Sequence, residues 1–486
     1  MVKERYSIAQ ATADLAAAGL LEGVVTTAAG GSVLRSADDG DFSQGAGFAG
    51  AGLDSRTLAP DQLFVALKGE KVDGRDYTPG VLRAGHWVLA ENPAHQPEKE
   101  LPPGWKVTPG TGLILTRDAT AALACLAAAW RGRLNVRVAG VTGTNGKTTT
   151  KDLLAAMLRG AGPTWATAGN FNNSLGLPLT LLGLTPEHHY AVIEMGASAV
   201  GDIARLAPLA APHTGVITNA SPAHLAEFGS LEDIIQGKGE LLDSLPADGC
   251  AVLNADSPGF DTWRKRASCR VVTFGRSTAD HIWSWQPRIP DGQPQVQLAG
   301  QTWPVPLPGE HNGANLVAAL LVARSFGLAD ELIRAGLAGF IGPAHRGVLL
   351  EIGGRIVLDD SYNANPVSMV AAGRALGRLP GSGQTVAVLG AMAELGSDSD
   401  QIHLQTGREL AAGPVDVLVA VGKNARLLGV GFDAGGGVSH YCADLKEAAR
   451  WTALHTRVGD RLLVKGSRSA AMEEILPLLD EALLTK

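Results

Sequence analysis

A short segment rich in glycine, threonine and lysine separates an apolar run from an amphipathic run, as in a phosphate-binding loop. The run 136–141 predicts a strand, and the segment from residue 147 onward predicts a helix. Backbone N–H groups of such a loop can surround phosphate oxygens, and the helix N-terminus adds a partial positive charge. Lys147 would reach the β- and γ-phosphates of a nucleotide, and Thr148 would bind Mg²⁺ through its hydroxyl group. The loop comprises Gly143, Thr144, Asn145, Gly146, Lys147, Thr148 and Thr149.

The loop departs in one place from the general pattern G-x-x-x-x-G-K-[ST]. Val141 stands where that pattern has its first glycine. A glycine-rich turn in front of an ordinary helix is the alternative interpretation. The succession of strand, loop and helix favours phosphate binding over that alternative.

Four polar side chains downstream of the loop are candidates for holding a nucleotide or a metal ion. Glu194 ends the apolar run 190–196, where a carboxylate can face a nucleotide; a charge at a helix start is the alternative. His224 follows a later strand, and a lone histidine is more often a satisfied core or surface residue than a ligand. Lys238 lies in a predicted helix and, on sequence alone, is a solvated lysine. Asn315 lies inside another helix, where asparagine is disfavoured, and its amide offers both a donor and an acceptor.

A second group of polar residues follows strands in the last third of the chain. Two aspartates end an apolar run, and we expect the second, Asp360, to accept hydrogen bonds from ribose hydroxyls. Asn363 and Asn365 follow in a loop and could bind a nucleotide or a peptide, with a simple turn as the alternative. Lys465 and Arg468 end a late strand and could bind a carboxylate or a phosphate.

Alternating strand and helix patterns predict an α/β fold made of three domains. The middle domain would contain the loop in a parallel sheet, followed by antiparallel strands with turns at Asp291-Gly292 and Ala299-Gly300. The last domain would be Rossmann-like. The predicted domains are residues 1–110, 111–335 and 336–486.

The first domain is predicted to be a small α/β unit. The runs 63–67 and 86–90 predict strands. The glycine-rich stretch 29–52 predicts a surface loop, and the proline-rich stretch 92–110 predicts a linker.

Composition excludes several classes of protein. The chain has 486 residues, of which 45% are hydrophobic and 18% charged, so it is not a disordered chain. Its net charge of -7 argues against a nucleic-acid partner, which normally meets a basic face. Four cysteines without metal-ligand spacing indicate reduced thiols and a cytoplasmic location. No apolar stretch approaches the ~20 residues that membrane insertion requires, and the N-terminus predicts an amphipathic helix rather than a signal peptide.

Beyond the loop, several further segments resemble the Mur ligase family and appear in the family's order. They are GNFNNSLGLPLTLL (169–182), VIEMGAS (192–198), TNASPAHLAEFGS (218–230), GKGE (237–240), GEHNGANLVAAL (309–320), DDSYNANPVSM (359–369) and VKGSRSAAMEE (464–474). The GN-x-NN and SYNANP segments resemble the branch of the family that joins D-alanyl-D-alanine to a UDP-N-acetylmuramoyl-tripeptide.

The resemblance implies a fold and a reaction. The three domains would bind the UDP-sugar, bind ATP and form a C-terminal Rossmann-like unit. ATP would convert the substrate carboxylate to an acyl phosphate, the amine of D-alanyl-D-alanine would attack it, and phosphate would leave a tetrahedral intermediate. A monomer is expected, and the third peptide residue stays open between diaminopimelate and lysine.

The resemblance also implies roles for individual residues. Glu194 and His224 would bind Mg²⁺, of which we expect two ions, and Lys238 would do so as a carbamate. Asn315 would read the adenine edge, and Arg346 would lie near the nucleotide phosphates. The expected contacts of the UDP-muramoyl peptide are Asp54, Ser55, Arg56, Lys68, Gly69, Asn170, Asn172 and Asn173, with a tight turn as the alternative for the three asparagines.

Three other functions fit parts of this pattern. Folylpolyglutamate or cyanophycin synthesis would use a different acceptor. The GN-x-NN and SYNANP segments count against both of these functions. A P-loop NTPase switch or motor would hydrolyse ATP without an acceptor and should carry an aspartate where Glu194 stands. A binding module without activity disagrees with the combination of Lys147, Glu194, His224 and Lys238.

Overall fold

Residues 5–28, 31–35, 46–92, 105–222, 225–287 and 293–484 are described by a computed structural model. Their backbone forms a two-stranded ribbon and three larger sheets with flanking helices, which confirms the α/β fold class. The chain divides into two compact units. The first comprises Met1–Gly140, Gly162–Gly196 and Asp202–His213, and the second comprises Val141–Ala161, Ala197–Gly201 and Thr214–Lys486.

The N-terminal part of the chain, which lies in the first unit, forms a mixed six-stranded sheet. Its elements are β1 (Tyr6–Ser7), α1 (Ile8–Ala17), β2 (Leu21–Ala28), β3 (Gly31–Arg35), β4 (Gly47–Phe48), β5 (Ala51–Gly52), β6 (Leu63–Ala66), α2 (Thr78–Arg83), β7 (Trp87–Glu91) and β8 (Gly112–Thr116). The strand order is β3-β2-β8-β7-β6-β5, and β1 pairs separately with β4. Strands β5 to β8 run parallel, whereas β2 is antiparallel to both neighbours. Buried Phe64, Leu82, Val88 and Leu113 form part of the core between this sheet and α2.

The sequence locates β6 and β7 correctly, but two other expectations for this region are wrong in part. The predicted loop 29–52 contains β3, β4 and β5, because hydrogen bonds to neighbouring strands order even a glycine-rich backbone. Trp105 and Val107, at the end of the predicted linker, are buried in the core, since their side chains are large and apolar. Residues 36–45 and 93–104 lie outside the described residues.

The middle part of the chain alternates strands and helices. Its elements are α3 (Ala119–Arg133), β9 (Arg137–Thr142), α4 (Lys147–Arg159), β10 (Thr164–Ala166), α5 (Gly176–Leu182), β11 (Tyr190–Glu194), α6 (Asp202–Ala210), β12 (Thr214–Ile217), α7 (Leu225–Phe228), α8 (Leu231–Gly239), β13 (Cys250–Asn254), α9 (Phe260–Arg266), β14 (Arg270–Gly275), β15 (His281–Gln286), β16 (Gln295–Leu298), β17 (Gln301–Pro304), α10 (Glu310–Ser325) and α11 (Asp330–Ala338). The boundary between the two compact units passes through β9.

Strand pairing in this part follows the predicted parallel pattern. Within the first unit the order is β10-β11-β9, and within the second it is β9-β12-β13-β14-β15-β16-β17. β10 and β11 pair in parallel, as do β12 to β15, and β15 to β17 are antiparallel. The predicted turn at Ala299-Gly300 is confirmed, with φ angles of 50° and 75°, as in a tight hairpin. The turn predicted at Asp291-Gly292 lies outside the described residues.

The C-terminal part, in the second unit, forms a sheet that is covered on both faces. Its elements are β18 (Val348–Ile352), β19 (Arg355–Asp359), α12 (Pro366–Gly377), β20 (Thr385–Leu389), α13 (Ser399–Ala411), β21 (Val417–Val421), α14 (Arg426–Ala434), β22 (Val438–Cys442), α15 (Leu445–His455), β23 (Arg461–Lys465) and α16 (Ile475–Leu484). The order is β18-β19-β23-β20-β21-β22, with only β18 antiparallel. Val386 and Val388 belong to one buried cluster, and Ala387 and Leu389 belong to another, so both faces are packed. The Rossmann-like prediction is confirmed.

The helices and the cysteines bear on two expectations that come from composition. None of their helices combines the length and apolar character needed to cross a bilayer. All four cysteines are free thiols, and Cys250 and Cys442 are buried.

Helices α4 and α11 approach each other closely in the second unit. A Cβ atom on Gly336 would lie 2.3 Å from the carbonyl oxygen of Ala156 and 2.7 Å from that of Met157. Only glycine therefore fits at this crossing, and α11 packs on the helix that follows the phosphate-binding loop. The proposed domain boundary at 335/336 falls inside α11.

This close approach gives a stability prediction. We expect Gly336→Ala to destabilise the protein by about 1–3 kcal/mol, because the new methyl group overlaps a neighbouring backbone. The control is Gly132→Ala in α3, where the added Cβ meets nothing within 4 Å. That substitution should be neutral or stabilise the protein by up to ~1 kcal/mol. In urea unfolding, Gly336→Ala should lower the midpoint and Gly132→Ala should not, and equal midpoints would contradict the packing argument.

Candidate functional site

The predicted phosphate-binding loop connects the end of β9 to the start of α4. Gly143 and Gly146 have φ angles of 140° and 81°, which residues with side chains rarely adopt. A Cβ atom on Gly143 would lie 2.0 Å from Oγ1 of Thr218. A Cβ atom on Gly146 would lie 2.2 Å from Oδ1 of Asn315. Both glycines are therefore required by conformation and by space.

The segment directly after β12 holds the loop through hydrogen bonds. The N–H of Thr144 donates to the carbonyl of Asn219 at 2.9 Å. The N–H of Asn145 donates to Oδ1 of Asn219 at 3.0 Å, and Oγ1 of Thr218 donates to the carbonyl of Asn145 at 2.6 Å. These bonds pair backbone groups of the loop and so fix its shape. Thr218 and Asn219 begin the family-like segment 218–230, but the sequence does not predict that they contact the loop.

Lys147 begins α4, and its ammonium group lies over the preceding loop. Nζ donates to the carbonyl oxygens of Gly143 at 2.8 Å and Thr144 at 2.9 Å. Thr148 and Thr149 are buried in the first turn of α4, which carries no acidic residue. A lysine ammonium group and a helix N-terminus both favour an anion, so the loop is suited to phosphate.

Asn315 is buried in α10 and packs against the backbone of Gly146. Its Nδ2 donates to Oδ1 of Asn312 at 3.1 Å, and Nδ2 of Asn312 donates to the carbonyl of Pro308 at 2.7 Å. The chain of amides explains why polar residues occupy the interior of this helix. The predicted nucleotide residue therefore lies directly beside the loop.

Glu194 ends β11, as predicted, and it is 2% exposed. Nδ2 of Asn172 donates to its Oε1 at 2.7 Å. Within the described part of the chain, the other carboxylate oxygen, Oε2, is buried and has no hydrogen-bond partner. A buried carboxylate oxygen without a donor carries a large desolvation cost. An oxygen in this situation is suited to a cation.

The three asparagines of the GN-x-NN segment differ in their surroundings. Asn172 contacts Glu194, whereas the side chain of Asn170 is exposed. Oδ1 of Asn173 accepts from the N–H groups of Leu175 at 3.2 Å and Gly176 at 2.8 Å. Asn173 therefore has a turn role, which was the alternative to substrate contact for these residues.

Lys238 lies near the end of α8 and is 2% exposed, so the interpretation of a solvated lysine is wrong. Its Nζ donates to the carbonyl of Ala197 at 3.1 Å and lies 5.1 Å from the centroid of the Phe228 ring. A Cβ atom on the adjacent Gly237 would lie 2.9 Å from the same ring. Such tertiary packing, which helix periodicity does not reveal, buries the amine.

The remaining predicted metal ligand, His224, lies outside the described residues. Among the residues that are described, no group of three or more His, Cys, Asp or Glu side chains is arranged to hold a metal ion. The buried Oε2 of Glu194 is thus the structural feature that fits a cation.

Lys465, at the end of β23, contacts two other predicted residues, Asp360 and Asn363, in the loop after β19. Nζ of Lys465, which is 3% exposed, lies 2.5 Å from Oδ2 of Asp360. The same Nζ donates to the carbonyl of Asn363 at 2.9 Å. The ion pair holds the loop after β19 against the end of β23.

Asn365 joins this loop to the phosphate-binding loop within the second unit. Its Oδ1 accepts from the N–H of Ser368 at 2.9 Å and so caps α12. Its Nδ2 donates to Oδ1 of Asn145 at 2.6 Å. One amide therefore caps a helix and contacts the loop at the same time.

Arg346 and Arg468 both lie beside Tyr362, which motif analysis does not single out. Their guanidinium carbons are 3.9 Å and 5.9 Å from the centroid of its ring. Arg468 also lies 2.5 Å from the carboxylate of Glu473. The aromatic ring thus brings two predicted anion-binding residues into one cluster.

The predicted UDP-sugar residues of the first domain follow β5 and β6. Arg56 donates to both carboxylate oxygens of Asp54, at 2.9 Å and 2.7 Å. These hydrogen bonds lower the pKa of Asp54 to about 2. Ser55 lies between the pair, Lys68 is exposed, and the N–H of Gly69 donates to the carbonyl of Val72 at 2.9 Å.

Family models match three separate parts of the chain. The Mur ligase family, catalytic domain matches residues 48–108. The Mur ligase middle domain matches 141–323, and the Mur ligase, glutamate ligase domain matches 345–468. The second of these ranges contains the phosphate-binding loop.

Individual relatives match most of the chain. A UDP-N-acetylmuramoyl-tripeptide--D-alanyl-D-alanine ligase of Escherichia coli is 37% identical over 447 residues, which cover 88% of this chain and 93% of the relative. A crystal structure of MurF from Acinetobacter baumannii is 32% identical with a TM-score of 0.77, over 89% of this chain and 93% of that one. MurF from Thermotoga maritima in complex with ADP is 27% identical with a TM-score of 0.75, over 89% and 97% of the two chains.

The contact between Asp54 and Arg56 gives a prediction for a pH titration. Because the pKa of Asp54 is lowered, its pairing with Arg56 is complete at pH values above about 3.9, the pKa of an unpaired aspartate. It is lost as the pH falls through about 2. We expect Arg56→Gln to raise the pKa of Asp54 toward the unpaired value, as measured by NMR of ¹³C-labelled aspartate. Arg83→Gln, which removes an arginine that donates to the carbonyl of Pro79, is the control. An unchanged titration in Arg56→Gln would contradict the pairing.

Proposed function

We propose, from the premise that this chain belongs to the Mur ligase family, that it joins D-alanyl-D-alanine to UDP-N-acetylmuramoyl-tripeptide and converts ATP to ADP and phosphate. The similarity of most of the chain to ligases named for this reaction carries the proposal. The phosphate-binding loop supplies the chemical reason, because amide formation needs an activated carboxylate.

The reaction proceeds in two steps and needs no reactant besides ATP, the substrate carboxylate and the amine. The substrate carboxylate attacks the γ-phosphate of ATP, which forms an acyl phosphate and releases ADP. The amine of D-alanyl-D-alanine then attacks the acyl carbon and loses a proton. Phosphate leaves the tetrahedral intermediate, and an amide remains. Both steps bring anionic groups together, so cationic and N–H donors must surround them.

The loop residues have the chemistry for the first step. Lys147 would move its ammonium group from the loop carbonyls to the β- and γ-phosphates. The N–H groups of Gly146, Lys147, Thr148 and Thr149, at the start of α4, would donate to phosphate oxygens. Asn315 would contact the adenine, and Asp360 the ribose. The fixed shape of the loop and the packing of Asn315 against Gly146 support these roles.

Magnesium is proposed as the metal, with two ions expected. When bound, it would neutralise phosphate charge and polarise the transferred group. Glu194 would hold Mg²⁺ through Oε2, Thr148 through its hydroxyl, and His224 through its ring. The buried carboxylate oxygen of Glu194 is the feature that supports a cation there.

Lys238 is proposed to carry a carbamate. Burial favours the neutral form of an amine, and a neutral amine can attack CO₂, lose a proton and form an anionic carbamate. The carbamate would give Mg²⁺ an oxygen ligand, which that ion prefers. The support is the buried position of the side chain, in contact with a carbonyl oxygen and an aromatic ring.

The substrate contacts are also proposals. Lys465 and Arg468 would meet substrate carboxylate or phosphate, Arg346 the nucleotide phosphates, and Asn363 and Asn365 the nucleotide or peptide. The UDP-muramoyl peptide would contact Asp54, Ser55, Arg56, Lys68, Gly69 and Asn170, whereas Asn172 and Asn173 are expected to do so from the resemblance alone. The contacts of Asn172 with Glu194 and of Asn173 with its own turn favour other roles for those two residues.

The architecture of the working enzyme is proposed from the same resemblance. We divide it into domains 1–110, 111–335 and 336–486. The three larger sheets and the three family-model ranges support the number of domains. Strand β8 (Gly112–Thr116) nevertheless belongs to the N-terminal sheet, beyond the first of these boundaries. We propose that it acts as a monomer in the cytoplasm.

An acceptor-dependence assay separates this function from the alternatives. Phosphate release should require UDP-N-acetylmuramoyl-tripeptide and D-alanyl-D-alanine together with ATP and Mg²⁺. Release without either acceptor would indicate an NTPase switch or motor. Turnover with glutamate and a folate instead would indicate folylpolyglutamate synthesis.

Loss of the loop lysine should abolish turnover. We expect Lys147→Ala to lower phosphate release by at least ~10²-fold, because it removes charge stabilisation from the transferred phosphate. Lys446→Ala, an exposed lysine on α15, is the matched control and should retain activity. Retained turnover in Lys147→Ala would mean that this loop does not bind the reacting phosphate.

Short carboxylic acids should restore part of the activity that is lost when the buried lysine is replaced. We expect Lys238→Ala to be inactive and to recover part of its turnover with formate or acetate, which can occupy the place of the carbamate. Lys147→Ala should show no such recovery under the same conditions. An inactive Lys238→Ala that no short carboxylic acid restores would argue against carbamylation.

A further inference from the structure

We propose that Asn172 is a positioning residue, whose side-chain amide orients the carboxylate of Glu194 and leaves Oε2 available to a divalent cation. The inference rests on the proposed role of Glu194 as a metal ligand. It assigns Asn172 to the metal rather than to the muramoyl peptide.

The hydrogen bond is short and joins a neutral donor to a buried anion. Nδ2 of Asn172 lies 2.7 Å from Oε1 of Glu194, whose side chain is 2% exposed. Hydrogen bonds to ionised groups are stronger than those between neutral groups. This bond satisfies one carboxylate oxygen and leaves the other, Oε2, as a buried atom with no hydrogen-bond partner in the described part of the chain.

Asn172 is itself held in place by the backbone that follows Glu194. The N–H of Gly196 donates to the carbonyl of Asn172 at 2.8 Å. A Cβ atom on Gly196 would lie 2.9 Å from Oδ1 of Asn172. The absence of a side chain at Gly196 therefore gives room for the amide. The main chain and the side chain of Asn172 are both fitted to the end of β11.

An amide suits this position better than a charged donor. Lysine or arginine would donate to Glu194 but would neutralise the charge that attracts a cation. Aspartate would place a second carboxylate beside the first and repel it. Asparagine donates a hydrogen bond and leaves the full charge of Glu194 for the metal, as partners that orient metal ligands commonly do.

The neighbouring asparagines provide an internal comparison. Asn170 is exposed, and Asn173 accepts from the backbone of its own turn. Asn172 alone, of the three, contacts the carboxylate. A general role of the segment in peptide binding does not require this difference, whereas positioning of Glu194 does.

Binding of Mn²⁺ alone to the full-length chain tests the inference without turnover. The free ion would be followed by electron paramagnetic resonance for the wild type, Asn172→Ala, Asn172→Ser, Asn170→Ala and Glu194→Gln. We expect both Asn172 variants to bind Mn²⁺ about 10–100-fold more weakly than the wild type. Asn170→Ala, the same change in the same loop, should match the wild type.

The variants separate this inference from the function on which it rests. Unchanged affinity in Glu194→Gln would contradict the proposed metal role of Glu194. Weak binding in Glu194→Gln with unchanged binding in both Asn172 variants would overturn the positioning role alone. Unfolding temperatures in EDTA identify a purely structural role, in which Asn172→Ala loses stability while Mn²⁺ affinity is retained. Asn172→Ser makes the smaller change and keeps the comparison valid if the alanine variant folds poorly.

Discussion

The close packing of the loop glycines against polar side chains is the constraint on which the phosphate-binding loop depends. Gly143 fits under Thr218, and Gly146 fits under Asn315, with no space for even a methyl group at either place. Thr218 comes from the end of β12, and Asn315 comes from the middle of α10. The loop therefore has its shape only when strand, helix and loop are all in position. Preorganised N–H groups need no rearrangement when phosphate charge develops, which is how such a site accelerates a reaction.

Neutral amides do much of the positioning around this loop and around Glu194. Asn145, Asn172, Asn219 and Asn315 each bond to, or pack against, a group that the proposed chemistry uses. An amide can donate and accept without adding charge. The proposed substrates, which carry phosphates and carboxylates, and the proposed divalent cation would already bring high local charge. Charged side chains such as Lys147 can then interact with the reactants, while neutral amides hold the loop in place. The net charge of -7 over the whole chain therefore has little bearing on the site.

Local sequence patterns predict the elements of this fold better than the contacts between them. Helix α3 spans Ala119–Arg133, as its alanine-rich pattern predicts, and β11 ends at Glu194 because the apolar run ends there. The sequence does not predict β3, because the order of this strand comes from pairing with β2 rather than from its own composition. The burial of Lys238 depends on Phe228 and Ala197, and neither contact has a periodic signature. The pairing of Lys465 with Asp360 joins residues 105 positions apart, so spacing along the chain could identify both residues but not their contact.

The hydrogen bond between Asn365 and Asn145 shows how the C-terminal sheet can influence the phosphate-binding loop. The oxygen of the Asn365 amide is used to cap α12, and its nitrogen is used to contact the loop. Because the oxygen and the nitrogen belong to one rigid planar group, a rotation of that group moves both contacts. The start of α12 and the side chain of Asn145 are therefore coupled within the second unit. Asn145 is in turn bonded to Asn219 through its own backbone. A displacement of α12 would thus reach the backbone of the phosphate-binding loop through hydrogen-bonded amides, without any charged residue.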